Sequence, residues 1–229
     1  MNIVTMFNDS GWQSAWLTGE RAAMVEHQLR ERGIRDERVL EAMRAVPRHE
    51  FVNPEDWTEA YADHPIVIGE QQTTSQPYII AAMLQAARIE ATDRVLEIGS
   101  GSGYQTALLA ELAKEVFAME RHPKLVSEAR QKLARLGYRN VVLIAGDGSI
   151  GLPQAAPYNS IIVSAAAPRI PPALVQQLAE GGRLVIPVGD ANRQWLKLVR
   201  KQDGQVIEAT LEGCRFVPLI GQEGFGRQA

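Results

Sequence analysis

The sequence of 229 residues has a single cysteine, Cys214, which excludes two kinds of small protein. One thiol can form neither a disulfide framework nor a cysteine-rich zinc site, and it is typical of a reducing compartment. Apolar runs stay short of the roughly 18 residues that a membrane-spanning helix requires. The N-terminal segment lacks the basic region and apolar core of a signal peptide. We therefore expect a cytoplasmic protein with no membrane partner.

An excess of charge of one sign is also missing. The chain has 24 Lys and Arg against 27 Asp and Glu, which argues against nucleic acid as its main partner. Its length suits one elaborated domain with a core that needs no metal or disulfide. We expect residues 1–20 to form an irregular tail and residues 21–229 one domain that starts with a helical cap. Whether Trp12 and Trp16 in the tail dock on the body or on a partner, or stay poorly ordered, remains open.

Apolar periodicity predicts helices in the first part of the chain. Spacings of three and four indicate helices from Thr18 to Gly33, after Asp36 as far as Pro47, and from Pro77 to Arg88. Another helix is expected from Pro171 to Gly181-Gly182. Between and beyond these segments, short apolar runs alternate with helical stretches. The runs are Val95–Ile98, Val116–Met119, Val141–Ala145, Ile161–Val163 and Leu184–Val188.

Short, uniformly apolar strands that alternate with helices are typical of a parallel sheet covered on both faces. Past Gly189 the apolar residues alternate with polar ones on either side of Asp203-Gly204. This pattern predicts an antiparallel hairpin at the edge of the sheet. We therefore predict an α/β fold with a Rossmann-like, doubly wound, mainly parallel sheet, an antiparallel C-terminal edge and N-terminal helices.

The most informative motif is the glycine-rich loop within Val95–Tyr104, which reads VLEIGSGSGY. It joins a predicted strand to the start of a helix. Gly99, Gly101 and Gly103 allow the backbone to bend sharply and to approach a ligand closely. In open α/β sheets, ligands bind at the carboxyl ends of the strands beside such a turn. Taken alone, the loop fits NAD or an adenosyl cofactor equally well.

Two acidic residues follow at the ends of the next predicted strands. Glu120 lies 21 positions after Gly99, where a carboxylate can accept hydrogen bonds from both ribose hydroxyls. Asp147, between Gly146 and Gly148, is placed to meet an adenine amino group. Each of these residues also has a purely structural interpretation, as a solvated strand end or a simple turn. The loop lacks the last glycine of the dinucleotide pattern, so it lacks the close helix approach that a pyrophosphate needs.

Together these motifs resemble the class I S-adenosylmethionine-dependent methyltransferases, and more specifically the protein-L-isoaspartate O-methyltransferase family. The resemblance covers roughly Met24 to Leu219. The glycine loop is shared by the whole superfamily. The more specific segments read IGEQQTTSQPY at 68–78, VSAAAPRIP at 163–171 and RFVPL at 215–219.

The chain departs from the family pattern at a few positions. Thr74 stands where isoleucine is more common, Glu70-Gln71 replaces a glycine-containing pair, and Asn159 replaces an aspartate. Ile220 stands where some members have a polar residue. We expect these departures to affect loop packing and rate rather than the type of reaction.

The resemblance implies a methyl transfer from S-adenosylmethionine to the free α-carboxylate of L-isoaspartyl residues in damaged proteins and peptides, which initiates their repair. It implies a catalytic role for Ser75 and a site without a metal ion. Substrate contacts are implied for Thr73, Thr74, Ser75, Phe216 and Val217. Cofactor contacts are implied for Glu97, Gly99, Ser100, Gly101, Gly103, Glu120, Asp147 and Gly148.

The chemistry of this reaction explains why the four histidines suggest no catalytic dyad. A carboxylate with a pKa near 4 is already ionised at pH 7, so the reaction requires no general base. We expect Ser75 to orient the substrate through a hydrogen bond, to cap the helix that begins near Pro77, or to do both. A substrate extended beside Phe216-Val217 would gain main-chain hydrogen bonds.

Three other functions stay open at this stage. The chain could methylate a different acceptor, act as a nicotinamide-dependent oxidoreductase, or bind an adenosyl group without catalysis and recruit a partner through Trp12 and Trp16. Ser75 and the segment at 215–219 argue against the first, and the absence of a tight pyrophosphate loop argues against the second. We expect a monomer whose partners are isoaspartyl-containing proteins and peptides, although nothing in the sequence fixes the oligomeric state.

Overall fold

The computed structural model describes residues 10–226. Helix α1 spans Ser10–Ala23 and continues directly as a π-helical segment over Met24–Arg30. The expectation of an irregular tail is therefore wrong for residues 10–20, while residues 1–9 lie outside the described part. The helix is held by Leu17, which is 3% exposed, and by Trp16, which packs against the core, whereas Trp12 is 62% exposed.

The helices expected after Asp36 and from Pro77 follow the predicted pattern closely. Asp36 caps α2 by accepting hydrogen bonds from the N–H groups of Arg38 and Val39, as its type predicts at that position. Among residues 10–226, every helix is too short or too polar to cross a membrane. Their bounds are Glu37–Ala45 for α2, Pro77–Ala87 for α3, Tyr104–Leu112 for α4, Pro123–Arg135 for α5 and Pro172–Gln176 for α6.

A seven-stranded sheet forms the centre of the molecule, with the strand order β5-β4-β3-β6-β7-β8-β9. The strands from β5 to β7 are parallel, and β7, β8 and β9 pair antiparallel. The predicted parallel sheet with an antiparallel C-terminal edge is therefore confirmed. The bounds are Arg94–Ile98 (β3), Glu115–Glu120 (β4), Val141–Ala145 (β5), Tyr158–Val163 (β6), Leu178–Gly189 (β7), Gln194–Gln202 (β8) and Gln205–Cys214 (β9).

Both faces of the sheet are buried, because successive side chains of a strand point to opposite sides. Val95 of β3 belongs to a core cluster that includes residues of the N-terminal helices, α3, α4 and α5. The next residue, Leu96, belongs to a second cluster that includes Leu174 of α6. This two-sided packing explains why the parallel strands are uniformly apolar in the sequence.

The expectation of a helix from Pro171 to Gly181-Gly182 is wrong in its second half. Helix α6 ends at Gln176, and β7 begins at Leu178. The two glycines lie inside β7, where its pairing with β6 shifts register. A side chain at Gly182 would meet main-chain oxygens, since an added Cβ would lie 2.8 Å from the carbonyl oxygen of Ala179. The glycines therefore serve a bulge rather than a helix end.

A separate hairpin leads into α3 and positions the candidate site. It consists of β1 (Ile66–Gly69) and β2 (Gln72–Thr74), which pair antiparallel. Its turn residues, Glu70 and Gln71, both have a left-handed backbone, with φ of +50° and +57°. This conformation is the one that tight two-residue hairpin turns require, and it explains why glycine is common at such positions.

Candidate active site

A pocket opens where the carboxyl ends of β3, β4 and β6 meet the hairpin and residues 217–220. Gly99, Gly101, Glu120 and Gly148 line it from the strand ends, and Thr73 lines it from the hairpin. We call this cavity the strand-end pocket. Its position is the one at which open α/β sheets bind their ligands.

The glycine loop forms one wall of the strand-end pocket, but its three glycines have different roles. Gly99 and Gly101 line the pocket and have φ of +86° and +52°. Gly103, with φ of +90°, begins α4 outside the lining. A Cβ added at Gly103 would lie 3.2 Å from the Cβ of Ala129. The structure therefore assigns Gly103 to the packing of α4 on α5.

Glu120 ends β4 and faces the strand-end pocket with a fixed carboxylate. The side chain is 6% exposed. Its Oε2 accepts a hydrogen bond from the N–H of Gly101 at 3.1 Å, and its Oε1 accepts one from the N–H of His122 at 3.0 Å. Each carboxylate oxygen can accept a second bond. Glu120 can therefore accept hydrogen bonds from two hydroxyl groups of a ligand while its orientation is held by the backbone.

Glu97 lies beneath the glycine loop rather than in the pocket lining. It is fully buried and accepts hydrogen bonds from Thr106 Oγ1 at 2.5 Å and from Gln105 Nε2 at 3.1 Å. Burial raises the pKa of Glu97 to about 7, although these two hydrogen bonds act in the opposite direction. The negative charge of Glu120 raises this pKa further. Glu97 thus holds the first turn of α4 against β3.

The end of β5 contributes a glycine to the pocket and a carboxylate to the surrounding chain. A Cβ added at Gly148 would lie 2.5 Å from Ile98 Cγ2, so the position admits only glycine. The carboxylate of the preceding Asp147 accepts hydrogen bonds from the N–H groups of Ser149 and Gln222, both at 2.8 Å. Asp147 lies outside the pocket lining. In this structure the carboxylate ties down the C-terminal segment, and its expected contact with adenine stays a prediction.

Those contacts also determine the ionisation of Asp147. Desolvation acts to raise its pKa, but the hydrogen bonds from Gln222 and Ser149 outweigh it and hold the pKa below its ordinary value. Asp147 is therefore an ionised anchor for the chain near residue 222 at neutral pH. This role could not be read from the GDG sequence, because the partner lies 75 positions away.

Ser100 completes the inner side of the glycine loop. It is 5% exposed, and within residues 10–226 its hydroxyl finds no hydrogen-bond partner. An unpaired buried hydroxyl costs free energy of about 1–3 kcal/mol unless a ligand or water pairs with it. Ser100 lies outside the lining of the strand-end pocket, and its expected cofactor contact stays a prediction.

Ser75 lines a second pocket, which we call the hairpin pocket. Thr73, Phe216 and Val217 line it as well. Thr73, Val217 and Ser164 also line the strand-end pocket, so the two cavities share a wall. The structure therefore brings together Ser75 and three of the four other predicted substrate residues, next to the predicted cofactor residues.

The alternative role of Ser75 as a helix cap is wrong. The N-cap of α3 is Gln76, and no side chain supplies a capping hydrogen bond there. Thr74 lies outside both pockets: it is 7% exposed, and its hydroxyl is 3.4 Å from Arg48 Nη1. Thr74 thus anchors β2 to the core, which accounts for a polar residue where isoleucine is more common.

Sequence reasoning missed Arg48, which is fully buried behind Ser75. Its guanidinium donates hydrogen bonds to the carbonyl oxygens of Ser75 at 2.9 Å, Ala60 at 2.7 Å and His64 at 3.4 Å. Burial lowers the pKa of Arg48 from its ordinary value. Arg48 therefore fixes the backbone that carries the Ser75 side chain. In the sequence, Arg48 stands out only as a charged residue directly after Pro47, in the run VPRHEFV.

The main chain of Phe216-Val217 is largely occupied. Gln194 accepts a hydrogen bond from the N–H of Phe216 at 2.6 Å and donates one to its carbonyl oxygen at 3.1 Å. The carbonyl oxygen of Val217 accepts a bond from the N–H of Ala166 at 2.8 Å. A substrate strand added along this segment would displace these bonds. We therefore correct the expectation of main-chain pairing to one of contact with the two side chains.

Two departures from the family pattern lie in different places: Asn159 is away from both pockets, and Ile220 lines one of them. Asn159 accepts a hydrogen bond from the N–H of Arg94 at 2.9 Å, at the amino ends of β6 and β3. Ile220 lines the strand-end pocket. Asn159 therefore lies at the amino ends of the strands, whereas the site lies at their carboxyl ends.

Comparison with known proteins identifies the family. The family model described as "Protein-L-isoaspartate(D-aspartate) O-methyltransferase (PCMT)" matches residues 20–224. A protein-L-isoaspartate O-methyltransferase of Koribacter versatilis is 56% identical over 212 residues, which cover 91% of this chain and 96% of that protein. One of Methanoculleus marisnigri is 53% identical over 206 residues, covering 90% and 94%.

Solved structures give the same result. A structure described as a protein-L-isoaspartate O-methyltransferase matches with a TM-score of 0.79 and 29% identity, covering 89% of this chain and 67% of that one. A Plasmodium falciparum structure of the same description, in complex with S-adenosyl-L-homocysteine, matches with a TM-score of 0.76 and 27% identity, covering 87% and 98%. The chain belongs to the protein-L-isoaspartate O-methyltransferase family.

Proposed function

We propose that this protein transfers a methyl group from S-adenosylmethionine to the free α-carboxylate of L-isoaspartyl residues in proteins and peptides, as the first step of their repair. One observation carries the proposal: the strand-end pocket and the hairpin pocket share Thr73, Ser164 and Val217. A cofactor in the first pocket and a substrate in the second would therefore meet across a common wall.

The residues of the strand-end pocket fit an adenosyl cofactor. Glu120 has free acceptor capacity for two ribose hydroxyls, and the backbone at Gly99, Gly101 and Gly148 leaves space for close approach. We assign Glu97, Gly103 and Asp147 to support of this pocket rather than to direct contact.

S-adenosylmethionine, when bound, supplies an electrophilic methyl group on a positively charged sulfur. The chain itself needs no base, because the substrate carboxylate is ionised at neutral pH. We assign Ser75 to the orientation of that carboxylate, or of its peptide group, through a donated hydrogen bond. Val217 lies in the wall that the two pockets share, and Phe216 lies beside it in the hairpin pocket. We assign both side chains to the exclusion of water from the reacting groups. The rate acceleration then comes chiefly from holding the substrate carboxylate in line with the methyl group, because no proton transfer needs to be catalysed.

We further propose that the protein acts as a monomer in the cytoplasm, with no nucleic-acid partner. Its balanced charge and single cysteine support this setting. Gel filtration with light scattering tests the oligomeric state: a mass near 25.2 kDa is expected, and twice that mass would contradict it.

The function is tested by methanol release from an isoaspartyl peptide incubated with methyl-labelled S-adenosylmethionine. Labelled methanol forms when the unstable methyl ester breaks down, so its release at a rate proportional to enzyme supports the proposal. A matched titration with NAD and with S-adenosylhomocysteine separates the oxidoreductase from the methyltransferase. Heat uptake or release with NAD alone would contradict the assignment of the strand-end pocket.

A further inference from the structure

A cluster of three arginines lies on the sheet face that α3 covers, away from both pockets of the site. Arg183 of β7 and Arg200 of β8 are direct cross-strand partners in the antiparallel pair. Arg88 follows the last turn of α3 with a left-handed backbone, φ +49°. The three side chains line one surface depression, together with Leu198 and Tyr78. We call Arg88, Arg183 and Arg200 the arginine cluster.

The charges of the arginine cluster are poorly compensated. Within residues 10–226, none of its guanidinium groups lies within 4.0 Å of a carboxylate oxygen. Burial lowers the pKa of Arg183, the positive charges of Arg88 and Arg200 lower it further, and Asp93 and Glu90 oppose these effects from nearby. Like charges directly opposite each other destabilise a strand pair, and arginine does not escape by losing its proton. A bound anion would relieve this repulsion.

The depression continues into the hairpin pocket, because Tyr78 and Glu212 line both cavities. Helix α3 forms one wall along the whole distance, from Pro77 beside Ser75 to Ala87 beside the arginine cluster. Its 11 residues span about 16 Å at 1.5 Å per residue. An extended peptide advances about 3.3 Å per residue, so this groove has room for about five residues of a substrate.

We propose that the arginine cluster is a docking subsite for acidic side chains of the polypeptide substrate, about five or six residues along the chain from the isoaspartyl residue. The proposal rests on the proposed function, and it names segments rich in Asp and Glu as preferred substrates. Charge complementarity supports it, since the cluster lies at the far end of the groove that begins at Ser75. Arg32, whose guanidinium lies 3.8 Å from the centroid of the Tyr78 ring, is paired with Asp63, so the uncompensated positive charge of the groove lies in the arginine cluster.

Glu212 determines how far from the isoaspartyl residue an acidic side chain is favoured. It lies at the junction of the two cavities, and burial raises its pKa while the charge of Arg32 acts in the opposite direction. A substrate carboxylate at the junction would meet this acid, whereas one farther along would meet the cluster. Acidic residues two or three positions from the isoaspartyl residue should therefore gain nothing.

The test compares isoaspartyl peptides that are neutral, that carry three glutamates next to the isoaspartyl residue, or that carry them about six residues away on either side. We expect the distal acidic peptide on one side to have a KM about tenfold below the neutral one, with little change in kcat. The double variant Arg183→Gln, Arg200→Gln should lose this advantage and treat the neutral peptide as the unaltered protein does. Arg139→Gln, which removes an exposed charge from the loop after α5, is the matched control and should change nothing.

A second readout measures docking without turnover. The aspartyl version of the distal peptide, which has no isoaspartyl residue, carries a fluorophore, and its binding is followed by anisotropy. Binding that weakens about tenfold in the double variant, and also in about 0.5 M NaCl, supports the subsite even if no methylation is seen. That combination would contradict the proposed function and not the docking.

Three results would overturn the subsite. Equal KM values for neutral and distal acidic peptides would remove the substrate preference. An equal loss of activity on all peptides in the double variant would show a merely structural role. Displacement of the fluorescent peptide by a short oligonucleotide at concentrations where an acidic peptide competes poorly would assign the cluster to nucleic acid instead.

Discussion

Glu120 accepts a hydrogen bond from the main-chain N–H of Gly101, with Oε2 and the nitrogen 3.1 Å apart. This bond joins the end of β4 to the glycine loop that follows β3, so the acid and the loop form one rigid unit. The same unit explains why Glu120 follows Gly99 by 21 positions in the sequence. The glycine loop follows one strand, and Glu120 ends the next strand along the chain. Its geometry is already set before a ligand binds, which lowers the entropy that binding must overcome.

Replacing Glu120 with Gln should weaken cofactor binding strongly. The amide has one acceptor oxygen, so either the Gly101 or the His122 N–H would face an N–H₂ group and lose its bond. The loss of one charge-assisted bond is about 1.5–3 kcal/mol, which weakens binding roughly tenfold to hundredfold. Calorimetric titration with S-adenosylhomocysteine measures the change. An unaltered Kd would contradict the assignment of Glu120.

Replacing Ser75 with Ala should slow turnover without altering stability. The hydroxyl caps no helix, since the N-cap position belongs to Gln76. We expect kcat/KM on an isoaspartyl peptide to fall about tenfold, as for one lost hydrogen bond to a charged group. The thermal unfolding midpoint should stay within about 1 °C. Unchanged turnover together with a lowered midpoint would show that Ser75 is structural after all.

Replacing Arg48 with Met should destabilise the protein and impair the site at once. The carbonyl oxygens of Ala60 and Ser75 would lose their donor inside the core. We expect a free energy of unfolding lower by about 2–4 kcal/mol, measured by urea denaturation. Arg48→Lys is the matched comparison. Lysine keeps the positive charge, but its ammonium group lacks the planar arrangement of N–H donors with which the guanidinium contacts several carbonyl oxygens at once. A lysine variant with full stability and full kcat/KM would contradict the positioning role.

The buried carboxyl of Glu97 should make stability depend on pH. Burial raises its pKa to about 7 from the ordinary 4.5 of a glutamate, so the folded state holds the proton more tightly than the unfolded state. The stabilisation is present below about pH 4.5 and is lost as pH rises toward 7, by about 3 kcal/mol. In Glu97→Gln this part of the decline should disappear. Urea denaturation at about pH 5 and about pH 8 tests it, and parallel declines in both proteins would contradict it.

The fold could be read from the sequence because its signals are local. The strand from Val95 to Ile98 is apolar apart from Glu97, and the glycines that follow bend the chain wherever they occur. A helix cap such as Asp36 acts on residues two and three positions away. Patterns that involve residues only a few positions apart can be recognised in a single sequence. They predict that the site lies at the carboxyl ends of the parallel strands.

The partners that the sequence could not show are distant in the chain. Arg48 reaches Ser75 across 27 positions, and Asp147 reaches Gln222 across 75. An arginine or an aspartate gives no indication in the sequence of which distant residue it will contact. The sequence therefore predicts a ligand contact for Asp147, whereas its hydrogen bond with the chain at Gln222 is visible only in the structure. The sequence predicts a helix only from Thr18 onward. The earlier part of α1 was missed because Leu17 and its neighbour Trp16, which pack in the core, give no clear period.

Selectivity for the isoaspartyl linkage decides whether the shared wall of Thr73, Ser164 and Val217 is where methyl transfer occurs. The measurement is a competition between an isoaspartyl peptide and its aspartyl twin at equal concentration, with S-adenosylmethionine in excess and products resolved by mass spectrometry. We expect a methyl ester on the isoaspartyl peptide and none above background on its twin. Equal methylation of both, or methylation of neither under conditions where S-adenosylhomocysteine binds, would show that the hairpin pocket takes another acceptor.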